Sequence, residues 1–117
     1  MRSMFDGSLF DGDISNWDVS HVTYMDTMFR SSEFNGDISR WNTSNVRTMS
    51  HMFAESKFNR TISNWDVSRC ENMLSMFDSS EFQGDISRWN VSKVEDMRRL
   101  FENTQYKRDI SSWTIKA

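Results

Sequence analysis

A single cysteine, Cys70, in 117 residues excludes an internal disulfide framework. Charge of one sign is missing as well. Fourteen Lys and Arg face 17 Asp and Glu for a net charge of −3, too balanced to point to nucleic acid or an anionic membrane as a partner. No apolar run nears the length of a bilayer span, so no membrane span is expected. The opening Met1-Arg-Ser-Met-Phe does not read as a signal peptide, because no apolar stretch follows it. Aliphatic residues are scarce and the mean hydropathy is −0.70, a composition that borders on disorder. Against disorder stand nine methionines, an aromatic content of 14% and, above all, their spacing.

The stretch Ile14-Ser15-Asn16-Trp17-Asp18-Val19-Ser20 returns at Ile38, Ile62 and Ile86, and a last copy begins at Ile110. The five tryptophans, Trp17, Trp41, Trp65, Trp89 and Trp113, recur at a period of 24. At that period nearly every large apolar residue falls into a column. Met1, Met25, Met49, Met73 and Met97 form one; Met4, Met28, Met52, Met76 and Leu100 a second. Phe5, Phe29, Phe53, Phe77 and Phe101 form a third; Phe10, Phe34, Phe58, Phe82 and Tyr106 a fourth. The isoleucine and tryptophan columns follow, then Val19, Thr43, Val67, Val91 and Ile115, then Val22, Val46, Cys70 and Val94. Among aromatics only Tyr24 stands outside. Such self-similarity marks a stacked array whose single repeat cannot fold alone.

Val22, Met25, Met28 and Phe29 are spaced to line one face of a helix. Ser20, Ser44, Ser68 and Ser92 fit as N-caps, and Ser68…Glu71 and Ser92…Glu95 match a capping box. The expected helices are 21–30, 45–54, 69–78 and 93–102. Residues 14–19 read as a strand with Trp17 and Val19 inward and Asp18 outward. The expected fold is an α/β solenoid: a leucine-rich-repeat-like, right-handed stack with one short parallel strand and one short helix per 24-residue repeat. It forms one domain, 1–117, divided into a partial repeat 1–19, repeats 20–43, 44–67 and 68–91, and a terminal partial repeat 92–117. Gly12, Gly36 and Gly84 share a turn column with Arg60 and Arg108, so either that turn does not strictly require positive φ or the third and fifth copies differ.

The pattern Ile-Ser-x-Trp-x-Val-Ser-x-Val-x-x-Met-x-x-Met-Phe resembles the repeat of BspA-like leucine-rich-repeat surface proteins. It is also similar to repeats of unknown function in Mycoplasma lipoproteins and to arrays in algae and other microbial eukaryotes. Ile14-x-x-Trp17-x-Val19 looks like the strand half of a leucine-rich repeat with Trp for the middle Leu. The resemblance covers essentially the whole chain. It implies a cell-surface or extracellular place and adhesion or protein recognition. The sequence shows no signal peptide, lipid-attachment cysteine or wall anchor, which makes a subunit inside a large assembly the alternative.

Two outward stripes are the candidate recognition face: Asn16, Arg40, Asn64, Arg88 and Ser112, and Asp18, Asn42, Asp66, Asn90 and Thr114. They equally suit a solvated face on which Asp and Asn alternate so that like charges do not stack. Asp13, Asp37, Asp85 and Asp109 suggest a calcium row, or turn residues bonding their own backbone. Thr61 interrupts that row, and neither a metal nor a cofactor is expected. Ser15, Ser39, Ser63, Ser87 and Ser111 have no recurring base beside them, so they read as a hydroxyl ladder to the next coil rather than nucleophiles. Cys70 reads as a small buried residue, His21 and His51 as exposed and idle. Asn42-Thr-Ser, Asn59-Arg-Thr and Asn90-Val-Ser are glycosylation sequons that matter only in a secretory pathway.

No reaction is legible, and the chain is expected not to be an enzyme. The first expectation is a repeat scaffold that binds protein or glycan through the outward face. The second is a structural linker subunit of a large assembly, held by its open ends and helix face. The phase of the repeat supports that alternative: the array starts inside an expected helix and stops after an expected strand, so a protein partner is expected at both ends, or a longer array.

Overall fold

The computed structural model describes residues 2–108, 110, 111 and 113. Expectations about Met1, Asp109, Ser112, Thr114, Ile115, Lys116 and Ala117 lie outside the described residues. The columns are the core. Met28, Met52, Met76, Phe29, Phe53, Phe77, Phe34, Phe58, Ile38, Ile62, Ile86, Val46 and Cys70 are fully buried. Ring centroids along the first phenylalanine column are 5.5 to 5.7 Å apart. Those of Trp41, Trp65, Trp89 and Trp113 are 6.4 to 6.5 Å apart. Each of these four indoles donates its Nε1–H to the carbonyl of the isoleucine 27 residues earlier, at 2.9 to 3.1 Å. The vertical registration expected from the period is therefore present, side chain on side chain.

The local structure is not the expected one. The α/β solenoid, its leucine-rich-repeat-like strand and its helices are overturned: among the described residues there is no helix, and pairing is limited to the parallel bridges Tyr24↔Thr48, Thr48↔Asn72 and Asn72↔Asp96. Each coil is a chain of tight turns. Trp17 N bonds Ile14 O, Val22 N bonds Val19 O, Met28 N bonds Met25 O, Arg30 N bonds Thr27 O and Ser32 N bonds Phe29 O, at 3.0 to 3.3 Å. The same five turns recur a coil later, from Trp41 N on Ile38 O to Ser56 N on Phe53 O. Residues three apart at the two ends of a turn face the same way, so the spacing that suggested helices, Met25 to Met28, is turn spacing here. Ile14 to Trp17, expected to lead into a strand, is another such turn.

Two residues per coil adopt positive φ, and all but one are not glycine. One column is Ser3, Thr27, His51, Ser75 and Arg99, with φ 54 to 60°; the other is Gly7, Ser31, Glu55, Ser79 and Asn103, with φ 54 to 69°. Thr27 and Ser31 are third residues of their turns, where positive φ makes a type II turn. A left-handed non-glycine residue costs about 1 to 2 kcal/mol. In return the wall 24–32 turns every second N–H toward the next coil. Met25, Thr27, Phe29 and Ser31 donate to the carbonyls of Thr48, Ser50, Met52 and Ala54 at 2.8 to 3.0 Å. A helix here would spend those N–H groups on itself and leave nothing for the neighbouring coil. With no helix, Ser20, Ser44, Ser68 and Ser92 are not N-caps, and the Glu71 and Glu95 capping boxes do not form.

Gly12, Gly36 and Gly84 have ordinary φ. Their missing side chain makes room instead: a Cβ at Gly36 would lie 2.8 Å from the Phe34 ring.

Candidate functional site

The corner 13–20 and its equivalents carry the candidate face. Its shape comes from carboxylates and amides that fold back on their own coil. Asp18, Asn42, Asp66 and Asn90 each accept, through Oδ1, the backbone N–H two residues on, at 2.9 to 3.1 Å. Asp13, Asp37 and Asp85 do the same for Ser15, Ser39 and Ser87 at 2.9 Å. Both columns are Asx turns. The Ser15 hydroxyl joins Asp13 Oδ1 at 2.7 Å and the Ser63 hydroxyl meets Thr61 Oγ1 at 3.3 Å, so these two serines bond within their own coil rather than to the next. Hydrogen bonds from the serine two residues on hold the carboxyls below the usual range. The hydroxyl is the larger cause at Asp13, Asp18 and Asp66, and the backbone N–H at Asp37 and Asp85.

All eight proposed recognition residues among the described positions are exposed: Asn16, Asp18, Arg40, Asn42, Asn64, Asp66, Arg88 and Asn90. They split by occupation. The column Asp18, Asn42, Asp66, Asn90 is engaged in turns, whereas no hydrogen bond or ion pair within the described residues engages the side chains of Asn16, Arg40, Asn64 and Arg88. Both stripes lie on turns of the corner rather than on a strand. Trp17 is half-buried against Phe5, at 5.9 Å between rings, while Trp41, Trp65, Trp89 and Trp113 are buried beneath the face.

Beside the corner lies an open depression of about 460 Å³, lined by Asp11, Asp13, Asn35, Gly36, Asp37 and Arg60 among others. Its rim is a ladder that sequence reasoning missed. Asn35 N donates to Asp11 Oδ1 at 3.0 Å, Asn59 N to Asn35 Oδ1 at 2.8 Å and Gln83 N to Asn59 Oδ1 at 2.8 Å. Arg60, which stands in the glycine column, lays its Nε on Asn35 O at 2.9 Å, and Arg108 repeats this on Gln83 O at 3.0 Å. The signal was the polar column Asp11, Asn35, Asn59, Gln83 at the repeat spacing.

Among the described residues, no three His, Cys, Asp or Glu are placed to hold a metal ion. Cys70 is buried and burial pushes its thiol up to about 12. His21 is exposed, whereas His51 is half-buried and lines a depression of about 250 Å³ with Leu74, Ser75, Arg98 and Arg99. The sequon asparagines Asn42, Asn59 and Asn90 are exposed. No helix among the described residues is long and apolar enough to cross a membrane.

No curated protein and no solved structure matches the chain. A family model does, over residues 1–77 and again over 33–117, which together span the sequence. The chain therefore belongs to the family described as Mycoplasma protein of unknown function, DUF285.

Proposed function

We propose that this chain is a non-catalytic repeat scaffold that recognises a protein, or a glycan, at a cell surface. The observation that carries the reading is the unoccupied column Asn16, Arg40, Asn64, Arg88, which stands exposed on a corner whose neighbouring column is held by its own turns. Asx turns fix the backbone beneath that column, and stacked indoles fix the coil-to-coil spacing. With the backbone beneath already fixed, docking has only the side chains left to order. Arginine and asparagine offer donors for partner carboxylates, carbonyls or sugar hydroxyls.

The test is adhesion. Beads coated with the protein are scored on cultured host cells and on immobilised matrix proteins and glycans, next to beads coated with R40E/R88E. The double variant should lose at least tenfold in bound beads while keeping its urea midpoint. Equal adhesion of the two proteins would remove the recognition column, and the linker-subunit alternative would take its place.

A further inference from the structure

We propose that Asn35-Gly36 is a self-modification site, at which the folded protein promotes the loss of the Asn35 amide as ammonia. In this reaction the Gly36 backbone nitrogen, after giving its proton to solvent base, attacks Asn35 Cγ. A new N–Cγ bond closes a five-membered succinimide, the Cγ–Nδ2 bond breaks, and the amide nitrogen leaves with a proton as ammonia. Water then opens the ring at either carbonyl, giving aspartate or isoaspartate. No oxidant, metal or second enzyme is needed.

Four features of the structure meet there. Gly36 has no side chain to obstruct the approach, and packing keeps it so, because a Cβ would strike the Phe34 ring at 2.8 Å. Its N–H has no acceptor among the described residues, so the nucleophile is not tied up. The Arg60 guanidinium donates to Asn35 O at 2.9 Å, on the same peptide unit as that N–H, and so makes the N–H more acidic. Asn59 N–H donates to Asn35 Oδ1 at 2.8 Å, which polarises the carbonyl under attack and meets the oxyanion that forms on it. Asn35, Gly36 and Arg60 also line the open depression, where water and base have access.

The repeat supplies internal controls. Asn59 has the same acceptor bond, from Gln83 N at 2.8 Å, but it is followed by Arg60 rather than glycine. Gln83-Gly84 has the guanidinium, from Arg108 at 3.0 Å, but its longer side chain would have to close a less favourable six-membered ring. Only coil two combines Asn, Gly and the guanidinium. The product places a carboxylate beside Asp11, Asp37 and Arg60, and the isoaspartyl form adds a main-chain atom next to the Asx turn of Asp37.

The experiment is peptide mapping by mass spectrometry after incubation of the folded protein in mildly alkaline buffer. Wild type, R60Q and R60G are compared with each chain held unfolded in urea. R60G restores the glycine of the neighbouring coils and is the variant expected to keep the fold. Asn35 should convert about tenfold faster than Asn59 in the folded protein. R60Q and R60G should each slow Asn35 by about threefold; Asn59 should be unchanged in R60Q and faster in R60G, where it gains a following glycine. In urea the effect of Arg60 should vanish. Conversion of Asn35 that is slower in the folded than in the unfolded chain, or equal in the three folded proteins, would overturn the proposal.

Discussion

Two parts of each coil hold their backbones in opposite ways. In the wall 24–32, alternate N–H groups cross to the next coil, and two left-handed residues per coil aim them there. In the corner 13–20, N–H groups return to an Asp or Asn side chain of the same coil. Neighbouring corners are tied instead by an indole N–H and by ring stacking. The wall gives cohesion and leaves its backbone no freedom. The corner is closed locally, and the side chains of its outermost column, Asn16, Arg40, Asn64 and Arg88, make no hydrogen bond or ion pair among the described residues.

The comparison breaks most sharply at the link between corners. Trp65→Ala removes a buried ring stacked on Trp41 and Trp89 and takes from Ile38 O one of its two donors, leaving the Trp41 N–H. It should cost about 3 to 5 kcal/mol in urea unfolding. Trp65→Phe keeps much of the stack and should cost about 1 kcal/mol for the lost indole hydrogen bond, since Ile38 O keeps the Trp41 N–H. If Trp65→Phe were as damaging as Trp65→Ala, the hydrogen bond rather than the ring would be holding the corners together.

A smaller effect tests local closure. Asp66→Ala deletes an Asx turn and should cost about 1 kcal/mol, whereas Asp66→Asn should be near neutral, because Asn42 and Asn90 serve the same turn in adjacent coils. The same turns set an acid response. The carboxyls of Asp13, Asp18, Asp37, Asp66 and Asp85 are held below their ordinary values, so the unfolded chain binds more protons than the folded one in the acid range. Their contribution is whole above the unfolded carboxylate value of about 4 and is lost as pH falls through the lower folded values. Urea midpoints should be flat from neutrality to about pH 5 and fall below that. An Asp66→Asn protein should show a shallower fall.

The smallest effect belongs to the wall. Ser79→Gly relieves a left-handed residue at φ 58° and should stabilise by about 0.5 kcal/mol, net of glycine's entropy. Loss of stability there would mean that the Ser79 hydroxyl, 2.9 Å from Asp78 Oδ1, matters more than its backbone.

Column membership was legible because stacking at a fixed period needs only identity and spacing: Met52, Phe53 and Trp65 are buried where the repeat put them. Secondary structure was not, since Met25, Met28 and Phe29 satisfy a helix and a pair of turns equally. What separates the two is positive φ, and Thr27, His51 and Glu55 adopt it without the glycine that would have announced it. For the candidate face, exposure of Arg40 and Asp66 followed from alternation with Trp41, Trp65 and Val67. The turn duty of Asp18 was written in an Asp-x-Ser spacing that it shares with Asp13, one of whose two readings was a turn residue bonding its own backbone. Arg60 was taken as an interruption of a glycine column, because a contact with Asn35 across coils has no sequence-local sign.

The one-way donation along the wall has an electrical consequence. Four peptide units in each of three successive coils, those entering residues 25, 27, 29 and 31, 49, 51, 53 and 55, and 73, 75, 77 and 79, and three more entering residues 3, 5 and 7, are hydrogen-bonded in line from coil to coil. Each carries a dipole of about 3.5 D, and aligned dipoles add. The result is a macrodipole with its negative pole beside residues 2–6 and its positive pole beside residues 97–103, the reverse of the polarity that an α-helix gives its own termini. An anionic surface should therefore orient this molecule with its last coil foremost.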